Sequence, residues 1–230
     1  MNDTIYQAAA LIIPLVIAIV FHEIAHGWTA RALGDPTADE LGRLSLNPLR
    51  HVDLFGTIIL PGILKLSGLP VFGWAKPVPV DFRRLNNPRR DMMLVGAAGP
   101  AMNFAMALGA AIVLGLLLRL YGGAQEPAGV AGFIVYSLAM FLQINIFLAL
   151  FNLLPIPPFD GSHIVEGLLP EGAARVYSST RRFALPVMIV VLVLLPRLGP
   201  GFDIVSRFVD PPFDWLINAY LGVVRVVSGN

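Results

Sequence analysis

The sequence predicts an all-α polytopic membrane protein, a helical bundle carrying a re-entrant or interfacial segment and a small β element. Three observations predict it. Of 230 residues, 56% are hydrophobic and 13% charged, with a mean hydropathy of +0.73, whereas about a quarter of a soluble domain is charged. The apolar residues come in long blocks rather than in the roughly ten-residue alternations of a membrane barrel. One block, residues 54–72, is interrupted by Gly56, Pro61, Gly62, Lys65, Gly68 and Pro70, which make it a poor continuous span.

The first span starts at residue 5. Residues 5–21 are almost wholly apolar, and helix-compatible residues continue to Ala32, enough for about 42 Å of helix. Pro14 kinks such a helix without ending it, because neighbouring helices re-satisfy the freed carbonyl. The leading MNDTIYQ lacks the basic region of a signal peptide, so the span is expected to be retained. Residues 31–53 are polar, with turn signals at Gly34-Asp35-Pro36 and Asn47-Pro48, and read as an aqueous or interfacial loop. After the broken stretch, GWAKPVPVDF alternates Val78 and Val80 with Pro77 and Pro79, a pattern that suits an extended edge strand.

Residues 92–118 form a second span rich in small residues, which permit close helix packing. The loop YGGAQEPAGVAG leads to a third span at 132–154, which stops at the prolines of LLPIPPFDG. A polar stretch to Arg182 precedes apolar blocks at 183–195 and 213–227, which give one crossing or two. The whole reads as a single membrane-embedded domain over 1–230, with its core at 5–163 and no appended soluble module.

Charge and cysteine content narrow the chemistry. A net charge of +1 argues against a nucleic-acid partner. With no cysteine, a transition-metal site must draw on His, Asp or Glu. The histidines are His22, His26, His51 and His163.

In HEIAH, His22 and His26 are four residues apart, which sets them about 40° apart on one helix face, so both reach one ion. Glu23 stands beside that ion rather than on it, where a carboxylate accepts a proton from an activated water. Such residues are costly inside a membrane segment unless they are functional. A catalytic zinc needs a third protein ligand, and Asp160, held in the rigid frame PIPPFDG, is the best candidate. By itself an aspartate there would serve as a helix cap or turn former.

Topology adds a condition. His22 and His26 end the first span and Asp160 follows the third, so a shared ion requires the two helices to run in the same direction. Residues 54–72 then cannot be a full crossing. Arg31, Arg43, Arg50, Lys76, Arg83, Arg84, Arg89 and Arg90 fall on one side, with Arg119 in the opposite loop. By the positive-inside rule, the site opens toward the cytoplasm of a multi-pass inner or plasma membrane protein.

FHEIAH in a first span, GWAKPVPV, GPAMN heading a second span and NLLPIPPFDG ending a third resemble the site-2 protease family of intramembrane zinc metalloproteases. The motifs run from about residue 20 to 163. The resemblance implies Zn2+ held by His22, His26 and Asp160, Glu23 as catalytic base, and cleavage of transmembrane protein substrates in the bilayer. It further implies that Asn152 positions substrate backbone and that the GWAKPVPV segment forms a membrane-entering β-structure beside the site. Substrate classes by resemblance are membrane-tethered transcription regulators, anti-sigma factors and leftover signal peptides. Two departures stand out. Many relatives carry a PDZ domain and this sequence shows none, so substrate selection falls to the membrane core or to separate partners. Ser162 stands where relatives often have a second glycine.

Other residues carry two readings. Asn152 bonds either substrate backbone or a neighbouring helix. Asn103 reads likewise, or as an electrophilic group near the metal. His51 reads as a structural histidine. His163 reads as a group behind the ligands or as a loop histidine, and Trp28, Trp74 and Trp215 as interfacial anchors. A membrane metal-binding or metal-transport protein would use the same ligands without hydrolysis, and a silent membrane scaffold would use none of them. Transport would favour polar residues spread through several spans, whereas here they concentrate at one depth.

Overall fold

A computed structural model describes residues 2–69, 73–121 and 129–229. The loop at 122–128 and the last three residues of the 54–72 stretch lie outside the described residues. Among the described residues, seven helices organise the fold: α1 (Asn2–Ala32), α2 (Leu54–Leu66), α3 (Pro88–Leu120), α4 (Gly129–Asn152), α5 (Gly161–Leu168), α6 (Glu171–Arg197) and α7 (Ile204–Ser228). Single helical turns at Thr37–Glu40, Pro48–His51 and Phe82–Arg84 punctuate the loops. Helices α1, α3, α4 and α6 are long and apolar enough to cross a membrane.

The directions of the helices follow from contacts at their two ends. Near the start of α1, Tyr6 packs on Phe133 at the start of α4, ring centroids 5.2 Å apart. At the other end, His22 Nε2 lies 3.1 Å from Asp160 Oδ2, just beyond α4. The two helices are therefore parallel, as a shared ion demands. Helix α2 makes this possible: its 13 residues, opened by a π-helical stretch at Leu54–Ile59, span about 20 Å against a hydrocarbon core of about 30 Å. It is a short apolar segment that does not cross.

Helix α3 fits between α1 and α4. Asn87 precedes Pro88 at the first helical position, where its missing N–H costs nothing. The buried Asp91 reaches back to accept the Asn87 N–H at 2.6 Å. Farther along, Ala107, Ala110, Ala111 and Leu114 repeat at helical spacing and bury against Leu142 and Ile146 of α4 and Val224 of α7. In lipid there is no water to expel between helices, so close van der Waals contact holds them, and alanine and glycine permit it.

Helix α7 is amphipathic. It starts at Asp203, whose carboxylate accepts from Ser206 N at 3.0 Å, and stops at Gly229 in the left-handed region at φ 82°. Its buried face meets α3, where Tyr220 Oη donates to Phe104 O at 3.1 Å. The apolar block at 183–195 is not a separate element but the second half of α6. No glycine or proline stands between 173 and 185, so the helix runs on through a stretch whose polarity reads as loop.

The expected β element does not form. Among the described residues there is no strand. Residues 73–81 run without helix, but the N–H groups of Trp74, Lys76 and Val78 are spent on Gly56 O, His51 O and the Glu23 carboxylate rather than on a partner strand. Pro77 and Pro79 have no N–H to give. Trp74, read from sequence as an interfacial anchor, instead packs with Leu154, Phe159, Met188 and Val209. Trp28 and Trp215 are exposed.

Candidate metal centre

Three potential ligands converge. Nε2 of His26 lies 3.1 Å from Nε2 of His22, and Asp160 Oδ2 lies 3.1 Å from the first imidazole partner, His22, and 3.4 Å from His26. The ligand atoms of all three residues fall within 4.8 Å of one another. Both histidines are buried, at 6% and 8% exposure, and the Asp160 oxygen is a buried atom with no hydrogen-bond partner.

Which ring nitrogens carry hydrogen is decided behind the ligands. His26 Nδ1 sits 2.7 Å from Val95 O, a carbonyl that only accepts, so Nδ1 carries the hydrogen. His22 Nδ1 sits 2.5 Å from Asn103 Oδ1 and is likewise the donor. With Nδ1 the donor on each ring, both Nε2 atoms are turned toward the Asp160 carboxylate. Three acceptors facing one another in a buried space repel unless a cation lies among them. Two imidazoles and one carboxylate are a donor set suited to zinc with an open coordination position, so the residues fit a metal ion.

Glycines bring α3 up to this cluster. A Cβ on Gly99 would fall 2.5 Å from His22 Cε1 and from His26 Nε2. A Cβ on Gly96 would fall 2.9 Å from His163 Cβ and 3.1 Å from Asp160 O. The small residues at the head of the second span thus have a specific use beyond general packing.

Asp160 opens a tight turn. Ile156 O accepts from Phe159 N at 3.0 Å, Phe159 O accepts from the buried Ser162 at 3.0 Å, and Asp160 O accepts from His163 N at 2.9 Å. Ser162 therefore fits where a glycine was expected, its side chain enclosed at 1% exposure. Phe159 packs edge-on against Phe151, centroids 4.6 Å apart, and anchors the turn to the end of α4.

Glu23 is half-buried on α1 and its Oε2 accepts the Val78 N–H at 2.8 Å. Its other oxygen, Oε1, has no bond among the described residues. Val78 also packs against Gly27, one turn farther along α1, where a Cβ would come 2.9 Å from Val78 Cγ1. The segment is fastened again at its end, where the fully buried Asp35 accepts Asp81 N at 2.6 Å and Thr37 N at 3.0 Å.

The remaining sequence candidates separate. Asn103 is fully buried and both ends of its amide are engaged, the oxygen by His22 and the nitrogen by Asn145 Oδ1 at 2.7 Å. Asn152 is half-buried and donates to Leu148 O of its own helix at 2.9 Å. His51 is buried, with Nε2 at 2.8 Å from Ser45 O, as a structural histidine should be. His163 lies behind the turn, where its Nδ1 accepts from Arg181 Nη2 at 2.9 Å. Burial, and next the Arg181 guanidinium, push its imidazole down to about 4, so it is neutral.

Sequence reasoning overlooked Asn145, Val95 and Val78. Asn145 is a lone amide in an apolar span and could have been flagged on that ground. Val95 and Val78 act through backbone groups, which leave no trace in residue type.

The sequence matches peptidase family M50 over residues 10–126 and 116–195. "Putative zinc metalloprotease YwhC" of Bacillus subtilis is 36% identical over 214 residues, 90% of this chain and 94% of that protein. "Putative zinc metalloprotease Rip2" of Mycolicibacterium smegmatis is 29% identical over 197 residues, 85% of this chain and 71% of that protein. The Mycobacterium tuberculosis protein of the same name is 31% identical over 188 residues, 81% of this chain and 67% of that protein. No solved structure matches. With a family match over most of its length, the chain belongs to peptidase family M50.

Proposed function

We propose that this chain is an intramembrane zinc endopeptidase that hydrolyses peptide bonds within or near transmembrane segments of membrane proteins. The observation that carries the reading is the convergence of His22, His26 and Asp160 beside Glu23, on helices apolar enough to lie in a bilayer. His22, His26 and Asp160 hold the ion. A zinc ion held by these three residues would supply Lewis acidity toward a water and the scissile carbonyl.

The chain's own groups do the rest. Glu23 Oε1 takes the proton of the attacking water and delivers it to the leaving amine, while Oε2 stays bonded to Val78 N. The apolar wall of α1, α3 and α4 keeps bulk water from the reacting bond. A helical substrate hides its carbonyls, so it must unwind to be cut. In the segment at 73–80, Trp74 O, Lys76 O and Pro77 O are taken by Thr57 and Arg43, and the carbonyls of Ala75 and Pro79, which accept no bond among the described residues, are left to the unwound strand. Asn152, at the end of α4, supplies an amide to substrate backbone once it leaves Leu148 O.

The basic residues support a cytoplasmic placement of the site. Arg31, Arg43, Arg84 and Arg89 all bond to loop or helix-end groups on the site side, at Asp39, Lys76 O, Glu40 and Glu166 O. Arg119 lies in the last turn of α3 at the far end.

The test is incubation of the purified protein in lipid vesicles with single-span membrane peptides, with products located by mass spectrometry. Cuts inside or next to the span, lost on chelation and regained with zinc, are the expected result. Zinc moving across the vesicles with every peptide intact would overturn the reading in favour of transport.

A further inference from the structure

His26 and His22 are oriented by different means. The first bonds directly to a backbone carbonyl, Val95 O at 2.7 Å. The second bonds to a side-chain amide, Asn103 Oδ1 at 2.5 Å. An amide has a donor end and an acceptor end, and nothing in Asn103 itself determines which faces His22. If its NH2 group faced the ring, His22 Nδ1 would have to accept, its hydrogen would move to Nε2, and the ligand lone pair would be gone.

The structure supplies the missing direction one helix away. Asn103 Nδ2 donates to Asn145 Oδ1 at 2.7 Å, and Asn145 Nδ2 donates to Phe141 O at 2.8 Å. A backbone carbonyl can only accept. Reversing Asn103 would require reversing Asn145, which would set Asn145 Oδ1 against Phe141 O, acceptor against acceptor. Both asparagines are 0% exposed, so no water relieves that clash.

We infer that Asn145 and Asn103 are positioning residues that fix the ligand tautomer of His22, with the polarity of the relay set by the Phe141 carbonyl on α4. The inference rests on the reading of His22 as a metal ligand. It gives both imidazoles the same logic: each is set by a backbone carbonyl, His26 at once and His22 through two amides. It also accounts for two amides buried in an otherwise apolar contact between α3 and α4, where leucines would pack at lower cost.

The test measures zinc affinity of the full chain in lipid by competition with a chromophoric chelator. Asn145→Leu keeps the branched shape and removes the direction, and zinc affinity is expected to fall by about 10- to 100-fold. Adding Asn103→Asp to that variant is expected to restore affinity to within a few-fold, because a carboxylate presents an oxygen to His22 whichever way it turns. Loss of packing alone would not be rescued this way.

In the wild type, nitrogen NMR of labelled His22 is expected to show hydrogen on Nδ1 before metal is added. This reading does not depend on whether the variants fold. A His22 Nδ1 without hydrogen, an Asn145→Leu affinity within about twofold of wild type, or a loss that Asn103→Asp fails to restore would each overturn the relay. His22→Ala separates the two levels. If it binds zinc like the wild type, the metal-site reading falls and the relay with it; if it loses zinc while Asn145→Leu keeps it, the relay alone is wrong.

Discussion

The carboxylate of Glu23 and the backbone N–H of Val78, 55 residues apart in sequence, meet at 2.8 Å. The bond joins the HEIAH helix to the extended segment that follows the broken apolar stretch. One oxygen of the proposed base is thereby fixed and the other is left for chemistry. Val78→Pro removes the donor without touching the carboxylate. A hydrogen bond to a charged group contributes about 1.5–3 kcal/mol, so peptide cleavage should fall by about 10- to 100-fold while zinc content stays unchanged. Turnover measured alongside bound zinc checks this.

Gly99 is the point where α3 comes closest to the ligands. A methyl group there meets ring atoms of His22 and His26 at 2.5 Å, and neither ring can move without losing its bond to Asn103 or Val95. Gly99→Ala should weaken zinc binding by at least about tenfold, in the range seen when the supports of metal ligands are disturbed. Gly109→Ala on the same helix meets nothing within 4 Å and should leave zinc binding as it is. Metal titration of the two variants side by side makes the comparison.

Zinc should also stabilise the fold through the site. A ligand present at about 100 times its dissociation constant adds about 2.7 kcal/mol to unfolding. Chelation should lower the thermal midpoint of the wild type and leave that of Asp160→Ala nearly unmoved. Thermal scans with and without chelator decide it.

Asp35 tests how firmly the extended segment is held. It is fully buried and accepts from Thr37 N, the Thr37 hydroxyl and Asp81 N, with Arg84 Nε at 3.8 Å. Asp35→Ala strands the partly buried N–H groups of Thr37 and Asp81 and should cost about 1–3 kcal/mol. Hydrogen exchange should quicken over 73–84 more than over α1.

Much of this architecture was legible because bilayer solvation imposes strong rules. Long apolar blocks gave three of the spans, and the glycines and prolines of 54–72 gave the non-crossing segment. The requirement that His22, His26 and Asp160 share one ion gave the parallel arrangement of α1 and α4, which the contact of Tyr6 with Phe133 bears out. The extended segment was legible in outline but not in its pairing, since Val78 N turns to a side chain and not to a strand. Helix α6 was read only in its apolar half, because Arg175, Arg181 and Arg182 conceal a continuous helix. The groups that orient the ligands, Val95 O and Phe141 O, are backbone atoms that any residue would supply.

The most direct measurement is cleavage of a single-span peptide by wild type and Glu23→Gln at matched zinc occupancy in lipid. The wild type should cut, and the variant should bind zinc equally and cut at least about 100-fold more slowly. Equal cleavage by the two proteins would contradict the role of Glu23 and, with it, the proposed mechanism.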